Sequence, residues 1–348
     1  MSGFFYGFIY ICSMQLEYSF IIPVFNRPNE IKELLESFAN LEFTDSFEII
    51  IVEDGSTEAS VDVVNSFKST LNIVYLVKPN SGPGDSRNFG MKHASGNYFI
   101  ILDSDCILPK NYLFYVNKSL QSEFVDCYGG PDAAKDSFSN LQKAINFAMT
   151  SFLTTGGIRG GRRCIDKFQP RSFNMGISKE AFLATNGFGN IHPGEDPDLS
   201  IRLWKLNFKT KLIPEAFVYH KRRISWGKFY TQVNKFGKVR PILNLWHPDT
   251  KKVTYWFPFL FVFGLLISII LLVFYKWFWP ILLYGFYVIL VFLVSLLKTK
   301  NILVACYAII AVLLQFVGYG YGFIESVFAI NILKKDPKEH FPELFFKS

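Results

Sequence analysis

From Tyr255 to Leu297 the chain carries one charged side chain, Lys276, and from Ile302 to Leu333 it again carries one, Glu325. Such runs exceed what the core of a soluble domain absorbs, and they set the first constraint on the fold. Crossing a bilayer takes about 20 apolar residues. Tyr255 to Tyr275, Trp277 to Leu297 and roughly Ile302 to Phe323 each reach that length. Trp256, Trp277 and Trp279 suit interfacial belts. The third run contains Gln315, Gly318, Gly320, Gly322 and Glu325, so it can kink, pack closely on a neighbour or line a polar crevice.

Charge sharpens this picture. The chain has 36 Lys and Arg against 29 Asp and Glu, a net charge of +7. Residues 159–240 hold 17 Lys and Arg against 6 Asp and Glu, an excess of +11 that leaves −4 for the remainder. A basic surface just ahead of apolar spans attracts anionic headgroups or a lipid-linked phosphate; nucleic acid is not expected as a partner. Excess Lys and Arg on one side predicts that the polar half faces the cytoplasm of a multi-pass inner-membrane protein. Lys334, Lys335 and Lys338 conflict with three full crossings, which would leave them outside; a re-entrant or doubled third segment would resolve this. The five cysteines show no CxxC spacing, which fits a reducing compartment and no zinc site. Residues 1–16 read as an extension, with Met14 as an alternative start.

Ahead of the apolar runs, strands and helices alternate. Strands are expected at Glu17–Val24, Phe47–Val52, Asn72–Val77 and Phe99–Leu102, and helices at about Asn29–Asn40, Ser60–Lys68 and from the Asn80–Asn88 loop to Gly96. Beyond them come a helix at Asn111–Ser122, a strand at Val125–Tyr128, a helix from Glu195 to Leu206 with Leu199, Leu203 and Leu206 inward, and a strand end at Val218–His220. This rhythm predicts βαβ units, a parallel sheet and an α/β domain.

Ligands of open α/β sheets gather beyond the carboxyl ends of the strands. The apolar strand Phe99–Leu102 ends there in Asp103-Ser104-Asp105. Extended residues two apart point the same way, so both carboxylates can meet one cation, and oxygen ligands suit Mg²⁺ or Mn²⁺; the plainer alternative is a solvated loop. Gly82, Gly84 and Gly90 do not have GxGxxG spacing, which disfavours a nicotinamide cofactor. The glycine loop instead enters a helix N-terminus that favours anions, with Arg87 in its first turn. Thr154–Arg163 reads as a mobile lid or acceptor-side loop. Glu195 and Asp196 open a helix, where the dipole alone would favour acids. His220 heads the basic run Lys221–Arg223 and can touch metal, phosphate or neither.

In order along the chain, Ile22-Pro23-Val24-Phe25-Asn26, Val52-Glu53-Asp54-Gly55-Ser56, Gly82–Asn88, Leu102-Asp103-Ser104-Asp105 and Gly194-Glu195-Asp196 resemble the family 2 glycosyltransferases. The resemblance covers about Glu17 to His220. It implies a GT-A fold, a Rossmann-like domain for nucleotide-diphospho-sugars, followed by transmembrane helices, and inverting sugar transfer without a covalent intermediate. It further implies that Asp54 bonds the donor base, with backbone contacts from Pro23 and Val24, and that Arg87 lies near base or phosphate. By the same likeness Asp103 faces ribose or metal, Asp105 holds a metal bridging the diphosphate, and Asp196 is the base beside Glu195.

The stretch Gln232-Val233-Asn234-Lys235-Phe236 lacks the Arg and Trp of the Gln-x-x-Arg-Trp motif that processive members carry, so single-sugar addition is expected. The anticipated plan is a domain over 17–225, a basic amphipathic juxtamembrane segment over 226–252, spans over 253–333 and a basic tail over 334–348. Arg240, in that juxtamembrane segment, is placed to meet a donor or lipid phosphate. The partners expected are a nucleotide-sugar donor, a lipid-linked or cell-surface glycan acceptor and the membrane. Alternatives are a polyprenyl-phosphate sugar transferase, a short-chain polysaccharide synthase, or a non-catalytic membrane-anchored nucleotide-sugar-binding scaffold.

Overall fold

The computed structural model describes residues 15–133, 138–155, 168–220 and 225–346. The extension through Met14, most of the Thr154–Arg163 stretch and the Lys221–Arg223 run lie outside the described residues. In chain order the elements are β1 (Tyr18–Val24), α1 (Pro28–Ala39), β2 (Phe47–Asp54), α2 (Val61–Phe67), β3 (Ile73–Lys78), α3 (Pro83–His93), β4 (Tyr98–Leu102) and β5 (Cys106–Ile107). Then follow α4 (Tyr112–Ser122), β6 (Cys127–Gly129), β7 (Asp132–Ala133), α5 (Asn140–Thr150), α6 (Phe152–Thr155), β8 (Asn174–Ser178), α7 (Lys179–Thr185), α8 (Glu195–Lys205), β9 (Thr210–Leu212) and β10 (Val218–His220). The last set is α9 (Trp226–Trp246), α10 (Phe257–Tyr275), α11 (Trp279–Thr299), α12 (Ile302–Val327) and α13 (Pro337–His340).

The main sheet has the order β3-β2-β1-β4-β8-β6-β9, and β5-β10-β7 form a small second sheet. The α/β domain is as expected, but its sheet is mixed rather than wholly parallel. β1 pairs in parallel with β2 and β4, and β2 with β3, whereas β8 runs antiparallel to both β4 and β6. The first four strands are joined by helical crossovers, so they all run in the same direction. The long excursion between β4 and β8 brings it back from the opposite end.

Period-2 alternation builds a core on each face. Phe20, Ile22, Ile49, Ile51, Ile100 and Leu102 face α1 and α4, while Ile21, Ile50, Val52, Phe99 and Ile101 face α3, α7 and α8. Each of these side chains is fully buried, a gain of about 1.5–3 kcal/mol apiece. Together they fix where β4 ends and therefore where Asp103 and Asp105 stand. Leu199 and Leu203 lie inward on α8 as expected, but Leu206 is half exposed, because α8 stops one residue earlier.

Three segments, Val253–Tyr275, Trp279–Thr299 and Ile302–Ile332, are long and apolar enough to cross a membrane. Only 6% and 11% of the first two are buried within the protein, against 39% of the third. The third is one continuous helical run through Ile332, neither broken nor doubled. Its burial comes from α9 together with α5, α10 and α11, and α9 lacks the one-sided apolar face expected of an amphipathic juxtamembrane segment. α9 lies against α12 because small residues let the two backbones meet: a β-carbon at Gly237 would strike the Tyr319 carbonyl, and one at Gly322 the Asn234 carbonyl. Asn234 Nδ2 donates to the Gly318 carbonyl at 3.1 Å. After α12 the chain turns back, and Phe341 and Leu344 pack on Ile191, Val239, Ile242 and Leu243. The basic tail thus sits beside the α/β domain rather than across from it.

Candidate active site

The end of β4 delivers two carboxylates. Asp105 Oδ2 lies 2.5 Å from Arg27 Nη1, and its Oδ1 lies 3.1 Å from His220 Nε2. His220 is also 3.9 Å from Asp103 Oδ2. The short antiparallel pairing of β5 with β10 sets His220 opposite Cys106, and its ring stacks on Phe173 at 5.0 Å. Burial pushes the Asp105 carboxyl up, but the charges and hydrogen bonds of His220 and Arg27 prevail and hold it well below the usual carboxylate range.

Arg87 joins this pair to the second acidic cluster. It sits in the second turn of α3 rather than the first, since the helix begins at Pro83, and it is buried rather than projecting outward. Its Nη2 is 2.8 Å from Asp103 Oδ1 and its Nη1 is 3.3 Å from Glu195 Oε1. The Glu195 oxygen is also 2.8 Å from His192 Nδ1. Burial opposes the Glu195 charge, yet His192 and Arg87 outweigh it and lower its pKa to about 2. Burial likewise opposes a charged His192, and Glu195 raises its pKa in spite of that.

Asp196 is the group in the α8 turn that stays protonated to higher pH. Burial first, then the adjacent Glu195 charge, raises its pKa, while Arg87, Arg171 and a hydrogen bond from Ser172 pull the other way. Its Oδ1 atom is buried without a hydrogen-bond partner among the described residues. Arg171 lies half-buried beside it; burial opposes the guanidinium charge, Asp196 supports it and Arg240 repels it. Arg240 lies over the Tyr255 ring at 4.4 Å.

Asp54 stands apart from that network. It accepts from the Ser81 and Gly82 backbone N–H groups, each at 2.9 Å, and from Lys78 Nζ at 3.0 Å. These donors engage both oxygens, so in this conformation Asp54 shapes the loop into α3. Pro23 is partly exposed at the end of β1, whereas the Val24 side chain is buried, which leaves its backbone as the available contact. Asp198, close to the acidic pair, ties α8 to the end of α9 through His247 at 2.8 Å and pairs within α8 with Arg202 at 2.8 Å.

Asp103, Asp105, His220, Arg87, Glu195 and Asp196 therefore come together from four segments. Arg27, Ser172, His192 and Arg171 join them without having been singled out in the sequence. Arg27 was legible in hindsight, as a cation in the turn after β1; the other three have no local signature.

The residues fit a hard divalent cation. Asp105, Cys106 and His220 offer ligand atoms within 4.8 Å of one another. The Cys106 thiol faces the Phe173 carbonyl at 3.4 Å and is a soft donor, so Asp105, Asp103 and His220 are the residues suited to Mg²⁺ or Mn²⁺. Such a cation would supply neutralisation of a diphosphate.

One pH effect follows from the Asp196 environment. If Asp196 must be ionised to work, kcat/KM falls as pH drops through a pKa above the ordinary carboxylate value. Glu195→Gln removes one of the causes of that rise, so the acid limb should move to lower pH in a rate profile.

Residues 19–183 match the family described as Glycosyl transferase family 2. A probable glycosyltransferase, YdaM, of Bacillus subtilis is 26% identical over 281 residues, covering 72% of this chain and 64% of that protein. Over 101 residues the chain is 36% identical to the poly(ribitol-phosphate) beta-N-acetylglucosaminyltransferase TarS of Staphylococcus aureus, covering 28% of this chain and 18% of that protein. The chain thus spans less than two thirds of the length of either relative. Among solved structures, a mannosyltransferase of Pyrobaculum calidifontis in complex with GDP-Man and Mn²⁺ shares the fold, with a TM-score of 0.55 and 14% identity over 92% of this chain and 88% of that one. Residues 19–183 therefore carry a family 2 glycosyltransferase domain with a mixed, GT-A-like α/β sheet, and three helices long and apolar enough to span a membrane follow it.

Proposed function

We propose that this protein moves a sugar, with inversion, from a nucleoside-diphosphate sugar to a lipid-linked or cell-surface glycan acceptor. One observation carries the reading: Arg87 pairs with both Asp103 and Glu195, which joins the acid pair after β4 to the first turn of α8. Inversion needs a single in-line displacement, so one carboxylate suffices to deprotonate the acceptor. Asp196 has that role: Ser172 orients it, its free oxygen accepts the hydroxyl proton, and its raised pKa makes it a stronger base. The bond from the sugar's anomeric carbon to the diphosphate breaks as the acceptor oxygen attacks. Asp103, Asp105 and His220 would hold Mg²⁺ or Mn²⁺, which would neutralise diphosphate charge, and Arg27 and Arg87 add positive charge nearby. Pro23, Val24 and the Asp54 loop border the nucleoside.

In this reading α10 and α11 form the crossing hairpin of an inner-membrane protein, and the α/β domain and the tail both face the cytoplasm. The contacts of Phe341 and Leu344 with the domain support a common side for both. Arg171 beside Asp196, with Arg240 close to Arg171, favours an acceptor that carries phosphate, and polyprenyl phosphate is the variant reading they support. Missing the Arg and Trp of the processive motif, the protein is read as adding one sugar, which product length checks.

A binding screen of UDP-, GDP- and dTDP-sugars, each with and without Mn²⁺, tests the donor. One nucleotide should bind, and its affinity should rise with the metal. Binding of none, or binding indifferent to metal, would remove the donor and metal parts of this reading.

A further inference from the structure

The residues after α12 fold over the candidate site, and the catalytic reading uses none of them. Asp336 caps the short α13, its side chain accepting from the Lys338 and Glu339 N–H groups at 2.8 and 3.1 Å. Phe341 and Leu344 then anchor the segment, only 2% and 1% exposed among Ile191, Val239, Ile242 and Leu243. Beyond that anchor the segment is stitched to the loop that leads into α8. The Leu344 carbonyl accepts from the His192 N–H at 2.8 Å. The Asn190 side chain holds the Phe346 backbone twice, accepting from its N–H at 2.8 Å and donating to its carbonyl at 3.3 Å.

The Phe346 ring reaches the opposite lip. Its centroid is 5.8 Å from that of His192, the partner of Glu195. It also lies flat against Gly82, where a β-carbon would run into the ring and where φ is +94°. Gly82 is the residue immediately before α3, and its N–H is already drawn to Asp54. One aromatic ring therefore touches both the loop shaped by Asp54 and the loop bearing His192 and Glu195.

The build of the segment fits a part that opens. Its anchor is apolar and deep, whereas its outer end is held by Asn190, by the Phe346 ring and by Phe345 against Trp246, and Phe346 and Asn190 are not fully buried. Ends secured by few contacts open locally at low cost while the anchor stays in place.

We propose that the end of this segment, residues 345–346, is a gate over the nucleotide-sugar site, hinged at the Leu344 anchor and latched by Asn190 and Phe346, which lifts to admit the donor. The proposal rests on the donor-site reading above.

The test uses the full chain in detergent with Asn190→Ala and Phe346→Ala, probed by UDP, GDP and dTDP with Mn²⁺ in stopped-flow binding. Both variants should speed nucleotide association about 5-fold or more, the size expected when roughly one net hydrogen bond no longer favours the closed state. Amide exchange at residues 344–346 should quicken in both variants without ligand, and in the wild type when nucleotide binds. Slower or weaker binding by Phe346→Ala would make the ring a wall of the site and overturn the gate. Wild-type binding that neither variant changes would overturn the gate alone. Absence of binding to all three proteins would overturn the donor-site reading, and the gate with it.

Discussion

If Asp196 is the base, as proposed, Asp196→Asn should lower kcat by about 10²- to 10⁴-fold, the span typical of losing a positioned general base, while nucleotide affinity stays near the wild-type value. The amide keeps the shape of the carboxyl and can still accept from Ser172. What it loses is the lone pair that takes the acceptor's proton. The fold should tolerate the change, because removing this charge relieves repulsion with Glu195. Initial rates of nucleoside-diphosphate release, read beside a thermal midpoint, separate the two effects. Turnover retained in a folded Asp196→Asn protein would take Asp196 out of the base role.

Asp105→Asn should be as severe, through a different failure. The substitution leaves Arg27 and His220 facing a neutral amide and removes the strongest anionic ligand for a divalent cation. Charge stabilisation by a bound metal amounts to several kcal/mol, and each 1.36 kcal/mol is tenfold in rate, so a fall of at least ~10² in turnover is expected. The diagnostic is metal response: the wild type should lose activity in chelator and regain it with Mn²⁺, while the variant responds to neither. A wild type indifferent to chelator would contradict the assignment of Asp103, Asp105 and His220 to a cation.

The two predictions draw on different layers of information. The acid pair after β4 was visible because an apolar run that ends in Asp-x-Asp is a local pattern, and the burial of Phe99–Leu102 makes that strand end unambiguous. Arg87 was visible only as a helix residue near glycines. Its two partners, Asp103 and Glu195, lie 16 and 108 residues away, and that distance in sequence hides its function as a bridge. Asp54 shows the opposite case. The family resemblance assigns it to the donor base, and in this conformation the following loop donates to both of its oxygens.

The third apolar segment shows the same limit on a larger scale. Composition alone cannot separate a helix facing lipid from one facing another helix, since both are apolar all round. Gly318, Gly320 and Gly322 signalled close packing, but not that α9 would supply the partner, because α9 shows no apolar stripe and carries Lys and Asn along its length.

The sequence by itself determined that an α/β domain is joined to membrane-length helices and that its candidate chemistry lies at strand ends rich in carboxylates. Those properties are written in short-range periodicity and uninterrupted hydropathy, which adjacent residues encode. Only the tertiary structure decided that β8 runs antiparallel, that His220 stands beside Asp105, that Arg87 ties the two acidic clusters together and that the tail returns over Gly82. Each of these is a contact between segments far apart in the chain, set by how strands pair and helices pack, and no local pattern of residue types carries that information.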